Sequence, residues 1–220
     1  MLKDIKGLKF PDDFFIKFFF KQTLHEESEL KYLEFGCSNG NNLMLPAQYG
    51  NEVVGVDINP NVIELAKQNF KRLSYDNSQF YCSDMCNFVK NNKHIKADVF
   101  MLPNVACYIT KQDFIAFLQK VVSNQVIKQG AYFFLRLRSL KDFRFGIGQQ
   151  IEKDTFIMPE DSITDEAGAL LTFYSEWDIV VILKEHLSLR DFNVFEVNSQ
   201  NLQNDTVINN ADIVIWGFVN

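Results

Sequence analysis

Three short stretches of this 220-residue chain carry glycines or carboxylates at spacings that suit a ligand carrying a nucleoside. The first is YLEFGCSNGNNL, with Glu34, Gly36, Ser38 and Gly40 as its informative members. A glycine lets the backbone approach a ligand with no Cβ in the way, and a helix opening after Gly40 would aim free N–H groups at it. The second is VVGVDINP, in which Asp57 lies 21 residues after Gly36. A carboxylate there can accept hydrogen bonds from both hydroxyls of a ribose, and charged acceptors make the stronger bonds; a solvated loop Asp has the same spacing. The third is FYCSDM. Asp84 could accept the exocyclic amine of adenine while the Met85 N–H donates to the ring, or it could simply cap a helix over Cys86–Lys90.

To act together these residues must reach one edge of the fold. Short apolar runs alternate with longer helical patterns, and no repeat or low-complexity linker divides the chain, which reads as β/α units and a mostly parallel sheet. Strands are expected at Lys31 to Phe35, Glu52 to Val56, Gln79 to Cys82, Ala97 to Leu102 and Ala131 to Leu137. Helices are expected over 12–24, from Asn41 to Gln48, from Pro60 to Leu73, and from Thr110 to about Lys128, the last ended by Gly130. Pro60 suits a first helical turn, Gly50 a left-handed stop, and Thr110 with Asp113 has capping-box spacing. Ser175, with Asp178 three residues on, starts a last helix through Leu187. The final strands, Asn193 to Val197 and Asp212 to Phe218, are joined by a polar loop with no helix and should pair antiparallel. The length fits one domain over 1–220, with residues 1–30 as a helical cap and 138–172 as an irregular connection long enough to serve as a lid.

In an open α/β sheet, ligands bind outside the carboxyl ends of the strands beside the first one. Gly36/Gly40, Asp57 and Asp84 each follow a successive strand, so the three stretches support one another. A dinucleotide fingerprint would need glycines at 36, 38 and 41; the chain has Gly36, Ser38 and Asn41, which disfavours NAD and FAD.

The motifs EFGCSNGNNL, VVGVDINPNVIELAKQN and SDM resemble those of class I S-adenosylmethionine (SAM)-dependent methyltransferases, especially small bacterial ones acting on small molecules. The resemblance covers about residues 30–137. It implies an α/β, Rossmann-like three-layer sandwich whose mostly parallel, seven-stranded sheet ends in an antiparallel hairpin. It also implies SAM as cofactor, with Glu34 at the methionine end, Gly36 and Gly40 shaping the cradle, Asp57 on the ribose and Asp84 on the adenine. Cys37, Ser38, Ile58, Met85 and Pro103 complete the expected cofactor-binding set, Ser38 standing where the family often has glycine.

The acceptor is less legible. MLPNVACYI after the fourth strand is not the (D/N)PP(Y/F) motif that the resemblance would tie to amide or base nitrogens. Asn104 and Tyr108 are candidate acceptor contacts or loop residues satisfying backbone groups. Arg136, Arg138 and Arg144 could bind a phosphate or carboxylate on the substrate, or pair with Asp142, Glu152 or Asp154. His25, His94 and His186 have no identifiable partner, so no general base is assigned, and no paired acids after the fourth strand suggest a metal.

A net charge of -6 without a basic run argues against a nucleic-acid partner. Four cysteines without zinc spacing and a start lacking an apolar h-region point to reduced thiols and a cytoplasmic protein. The run Phe14 to Phe20 is broken by Lys17 and too short to span a bilayer. The 22 Phe residues are expected in the core and lining the pocket. The expected function is SAM-dependent O- or N-methylation of a small molecule, with a carbohydrate or glycan precursor as first candidate. An RNA or protein methyltransferase, or a SAM- or nucleotide-binding module without turnover, are the alternatives. Oligomeric state is not legible.

Overall fold

In the computed structural model, residues 2–164 and 166–220 are described, Leu2 by its backbone alone. Met1, within the expected cap, and Asp165, within the expected lid, lie outside the described residues. The order is α1 (Asp13–Lys21), β1 (Lys31–Phe35), α2 (Met44–Gln48), β2 (Glu52–Asp57), α3 (Pro60–Leu73), β3 (Ser78–Cys82), α4 (Met85–Asn91), β4 (Ala97–Pro103), α5 (Lys111–Ser123) and β5 (Ile127–Arg138). There follow β6 (Gln149–Glu152), β7 (Thr155–Ile157), β8 (Leu170–Thr172), α6 (Glu176–Leu187), β9 (Arg190–Gln203) and β10 (Thr206–Val219). The main sheet runs β3-β2-β1-β4-β5-β10-β9; its first five strands are parallel, and β10 is antiparallel to both neighbours.

Side chains alternate across each strand, and this sorts the phenylalanines into two cores. Leu33, Phe35, Phe133 and Leu135 face the layer of α4, α5 and α6. Tyr32 and Phe134 face the other side, where Phe15, Phe18 and Phe19 of α1 meet Phe70 of α3 and Trp216. The helices start where their caps dictate: the side chains of Asp12, Asn59, Asp84, Thr110 and Ser175 each accept a backbone N–H from the first turn that follows.

Several boundaries differ from the sequence reading. Thr23 turns left-handed and ends α1 early, at Lys21. α5 stops at Ser123 because Gln125 takes a positive φ, so Gly130 does not end a helix. It lies in an irregularity within β5, where the register jumps between Ala97↔Ile127 and Val99↔Tyr132. The expected polar loop before β10 is strand: β9 and β10 have 14 residues each and turn at Asn204 and Asp205, both with positive φ. Their distal halves extend past the sheet with both faces largely in solvent, so no apolar alternation marks them. The 138–172 connection carries a three-stranded sheet, β6-β7-β8, with its own small core of Phe156, Met158, Leu171 and Phe173.

Candidate functional site

Register alone brings the three motifs together. Phe35 pairs with Val56 and Asp57 with Cys82, so Gly36, Asp57 and Ser83–Met85 emerge side by side at the carboxyl edge. Gly36, Asp57, Ile58, Asp84, Met85, Asn104 and Tyr108 all line one cleft of about 390 Å³. Val56, Ser83, Val105 and Ile109 complete its wall and were not singled out from sequence.

Asp57 is held by the turn it faces. Ser38 N donates to Oδ2 at 3.0 Å and Asn59 N to Oδ1 at 2.9 Å. Each carboxylate oxygen has two lone pairs, so each can accept one more donor, such as a ribose hydroxyl. Ser38 reaches this position with φ +48, the left-handed conformation that a glycine would take more cheaply. Asp84 does cap α4, accepting Asn87 N at 3.0 Å, while also lining the cleft; the two readings of this residue are compatible.

Gly36 has φ +68, and a Cβ there would lie 2.8 Å from Val105 Cγ2. Gly36→Ala is therefore expected to strain the backbone by about 1–2 kcal/mol and to push Val105 into the cleft. A lowered melting temperature together with lost S-adenosylhomocysteine (SAH) binding checks this; unchanged SAH affinity contradicts it.

Other expected residues stand behind the cleft. Cys37 is buried in the core beneath the turn, its thiol pushed up by burial, and it contributes a backbone N–H to Val56 O. Gly40 packs on Phe70, with no room for a Cβ. The helix expected to open just after it begins only at Met44, because residues 38–43 form successive turns whose asparagines bond elsewhere. Pro103 is buried at the end of β4.

Glu34 is 1% exposed. Its Oε1 accepts from Asn42 Nδ2 at 2.6 Å, and its Oε2 is buried with no partner. Burial pushes its carboxyl up to about 8; Asn42 pulls against this, while Asp12 and Asp57 add to it. An unpartnered buried carboxyl oxygen beside a glycine turn becomes, once its proton is lost, an acceptor for a cationic group.

None of the three arginines lines the cleft, and each is met by carboxylates. Arg136 bridges Asp12 and Asp212, both at 2.6 Å, with Asp13 at 3.5 Å. Arg138 pairs with Glu166 and reaches Asp142 at 3.9 Å. Arg144 pairs with Asp142 at 2.8 Å and Glu166 at 2.6 Å. Of the partners expected from sequence, Asp142 is used; Asp154 instead pairs with Lys111. Three guanidiniums thus meet the carboxylates of Asp12, Asp142, Glu166 and Asp212.

Glu166, not singled out from sequence, joins the 138–172 connection to the cleft. It accepts from Tyr108 OH at 3.0 Å and Thr164 Oγ1 at 2.7 Å as well as from Arg138 and Arg144. Burial raises its pKa, but Arg138, Thr164, Arg144 and Tyr108 together outweigh that and hold it below the usual carboxylate value. His25 stacks on Phe20, His186 ends α6, and neither these nor His94 line the cleft.

Comparison with known families decides which family the chain belongs to. The methyltransferase domain profile matches residues 26–171, well over half of the chain. The chain belongs to the methyltransferase domain family. It is a class I, SAM-dependent enzyme, as its motifs imply.

Solved structures share the fold of this methyltransferase at low identity. A SAM-dependent methyltransferase from Methanosarcina mazei is 18% identical, with 89% of this chain and 96% of that chain covered and a TM-score of 0.65. The protein described under conversion of a disulfide bond into a thioacetal group during echinomycin biosynthesis is 13% identical, with 95% and 82% covered and a TM-score of 0.66. The N-terminal domain of EvdMO1, crystallised with SAH and D-fucose, is 14% identical, with 94% and 82% covered and a TM-score of 0.64. No curated protein matches the chain in sequence.

Proposed function

We propose that this methyltransferase transfers the methyl group of SAM to an oxygen or nitrogen of an uncharged small molecule, with a carbohydrate or glycan precursor as the first candidate, in the cytoplasm. The observation that carries the small-molecule reading is the bond at one end of the cleft, where Tyr108 is held by Glu166 of the 138–172 connection, which sets that segment beside the candidate acceptor contacts. The arginines favour an uncharged acceptor, because an anion would have to compete with carboxylates already in place. A fold neighbour crystallised with D-fucose, and another from natural-product biosynthesis, agree with a small acceptor.

The residues fit the cofactor. Glu34 Oε2 and the Gly36 turn would hold its amino-acid end, Asp57 its ribose, and Asp84 with the Met85 N–H its adenine, while Ile58 at the lip would cover the ring. Bound there, SAM supplies a methyl group already activated on a sulfonium. What the chain contributes is alignment, worth on the order of 7–11 kcal/mol in effective-molarity terms. Tyr108 and Asn104, at the end of the cleft nearest the arginines, orient the acceptor.

Incubation with methyl-labelled SAM and a cell extract tests the acceptor class. Label in the low-mass fraction is expected; label only in acid-precipitable RNA or protein would overturn the small-molecule reading. Glu166→Gln tests the lid. Loss of its charge weakens four hydrogen bonds at once, so protease cleavage within 145–172 should rise several-fold while SAH affinity stays within about twofold. Unchanged cleavage would mean that Glu166 does not hold this segment closed.

A further inference from the structure

Residues 5–12 pack against the glycine turn as an irregular strap, bent at Gly7 and Phe10, and the turn's asparagines hold it. Asn39 Nδ2 donates to Lys6 O at 2.9 Å and to Leu8 O at 2.8 Å. Asn41 Nδ2 donates to Phe10 O at 3.0 Å, and Asn42 Oδ1 accepts Asp12 N at 2.8 Å. From α3, Asn69 bonds both backbone groups of Lys6. All four asparagines are buried. The approach is close: a Cβ on Gly7, which has φ +83, would stand 2.9 Å from Asn39 Cγ.

Asn42 differs from the others because it faces both ways. Its Nδ2 donates to Glu34 Oε1 at 2.6 Å while its Oδ1 takes the strap's Asp12 N–H. An amide with one end fixed by the strap cannot rotate without breaking a bond, so it dictates which oxygen of Glu34 is left unpartnered. Asp12 carries the line onward, since its side chain caps α1 and accepts from Arg136, which in turn holds Asp212. A continuous chain of hydrogen bonds therefore runs from the buried carboxylate, through the strap, to the acceptor end of the site.

We infer that Asn42 is a positioning residue that couples Glu34 to the N-terminal strap, so that filling the cofactor site and tightening residues 5–12 against the turn are one event. This rests on the reading that Glu34 meets the amino-acid end of the cofactor. A group that engages Oε2 fixes the carboxylate, the carboxylate fixes Asn42, and Asn42 fixes the backbone of Asp12. Such coupling is reciprocal: loosening the strap must weaken cofactor binding by the same factor that binding tightens the strap.

Hydrogen exchange by mass spectrometry on the full chain, with and without saturating SAH, tests it. In the wild type, SAH should slow exchange of the amides in 6–15 by about tenfold, along with those of the turn. Above about pH 8, where Glu34 is ionised, Asn42→Asp puts a second acceptor against it; SAH should bind about tenfold more weakly, and exchange in 6–15 should no longer respond at saturation. Asn39→Ala leaves the Glu34–Asn42 pair in place and cuts the strap elsewhere. It should speed exchange in 6–15 and lower SAH affinity in proportion.

SAH binding to the wild type with no change in 6–15 would overturn the coupling and leave the cofactor reading intact. So would a folded Asn42→Asp that still shows the full response, or an Asn39→Ala strap that loosens at unchanged SAH affinity. Failure of the wild type to bind SAH at all would instead overturn the cofactor reading, and this inference with it.

Discussion

Asp57→Ala is expected to weaken SAH binding by about 10- to 100-fold, as read by calorimetric titration. Hydrogen bonds to a charged group contribute about 1.5–3 kcal/mol, and each 1.4 kcal/mol is a factor of ten in affinity. The two backbone N–H groups on its oxygens make the effect more than a lost contact. Ser38 N and Asn59 N fix the carboxylate from either side, so its remaining lone pairs have defined directions before any ligand arrives. Asp57→Asn separates the two contributions: it can still accept one of those N–H groups but lacks the charge, so it should keep the melting temperature and lose most of the affinity. Wild-type affinity in the Ala variant would remove Asp57 from the site.

The second large effect is a pH dependence that belongs to Glu34. With the site free, burial holds this carboxyl protonated up to about 8. A protonated acid offers little to an ammonium group, so binding must first remove the proton. SAH affinity should therefore rise with pH between about 6 and 8, by up to tenfold per unit, and level off above it.

The same group acts on stability with the opposite sense. Between the ordinary carboxylate range and about 8, the folded chain keeps a proton that the unfolded chain has lost. The ligand-free fold thus loses stability as pH rises through that window, and above it carries the full burden of a buried anion. Glu34→Gln removes both behaviours. Its SAH affinity should be weak and flat from pH 6 to 8, while its melting temperature should gain on the wild type as pH rises. A Gln variant that retains the wild-type pH profile would assign the proton to another group.

The site was legible in the sequence to the extent that it depends on position in a parallel sheet. Gly36, Asp57 and Asp84 follow strands whose apolar runs are plain, and in-register pairing then puts them side by side. Glu166 was invisible because its role depends on where a long irregular segment folds back, 58 residues from Tyr108, and no local pattern encodes that. The asparagines of SNGNN were visible but unread: an amide-rich turn next to a carboxylate is a signal that a second segment packs on it, as residues 5–12 do. The final hairpin is legible but its full length is not, for the converse reason. Strand pattern reflects burial on one face, and the distal parts of β9 and β10 have little buried face to reveal them.

Titration of the wild-type protein with SAH, by calorimetry and by thermal shift, tests most directly whether the carboxyl-edge cleft is the cofactor site. Saturable one-site binding with a raised melting temperature is the expected result. No heat and no stabilisation with SAH, with NAD or another nucleotide binding in its place, would contradict it.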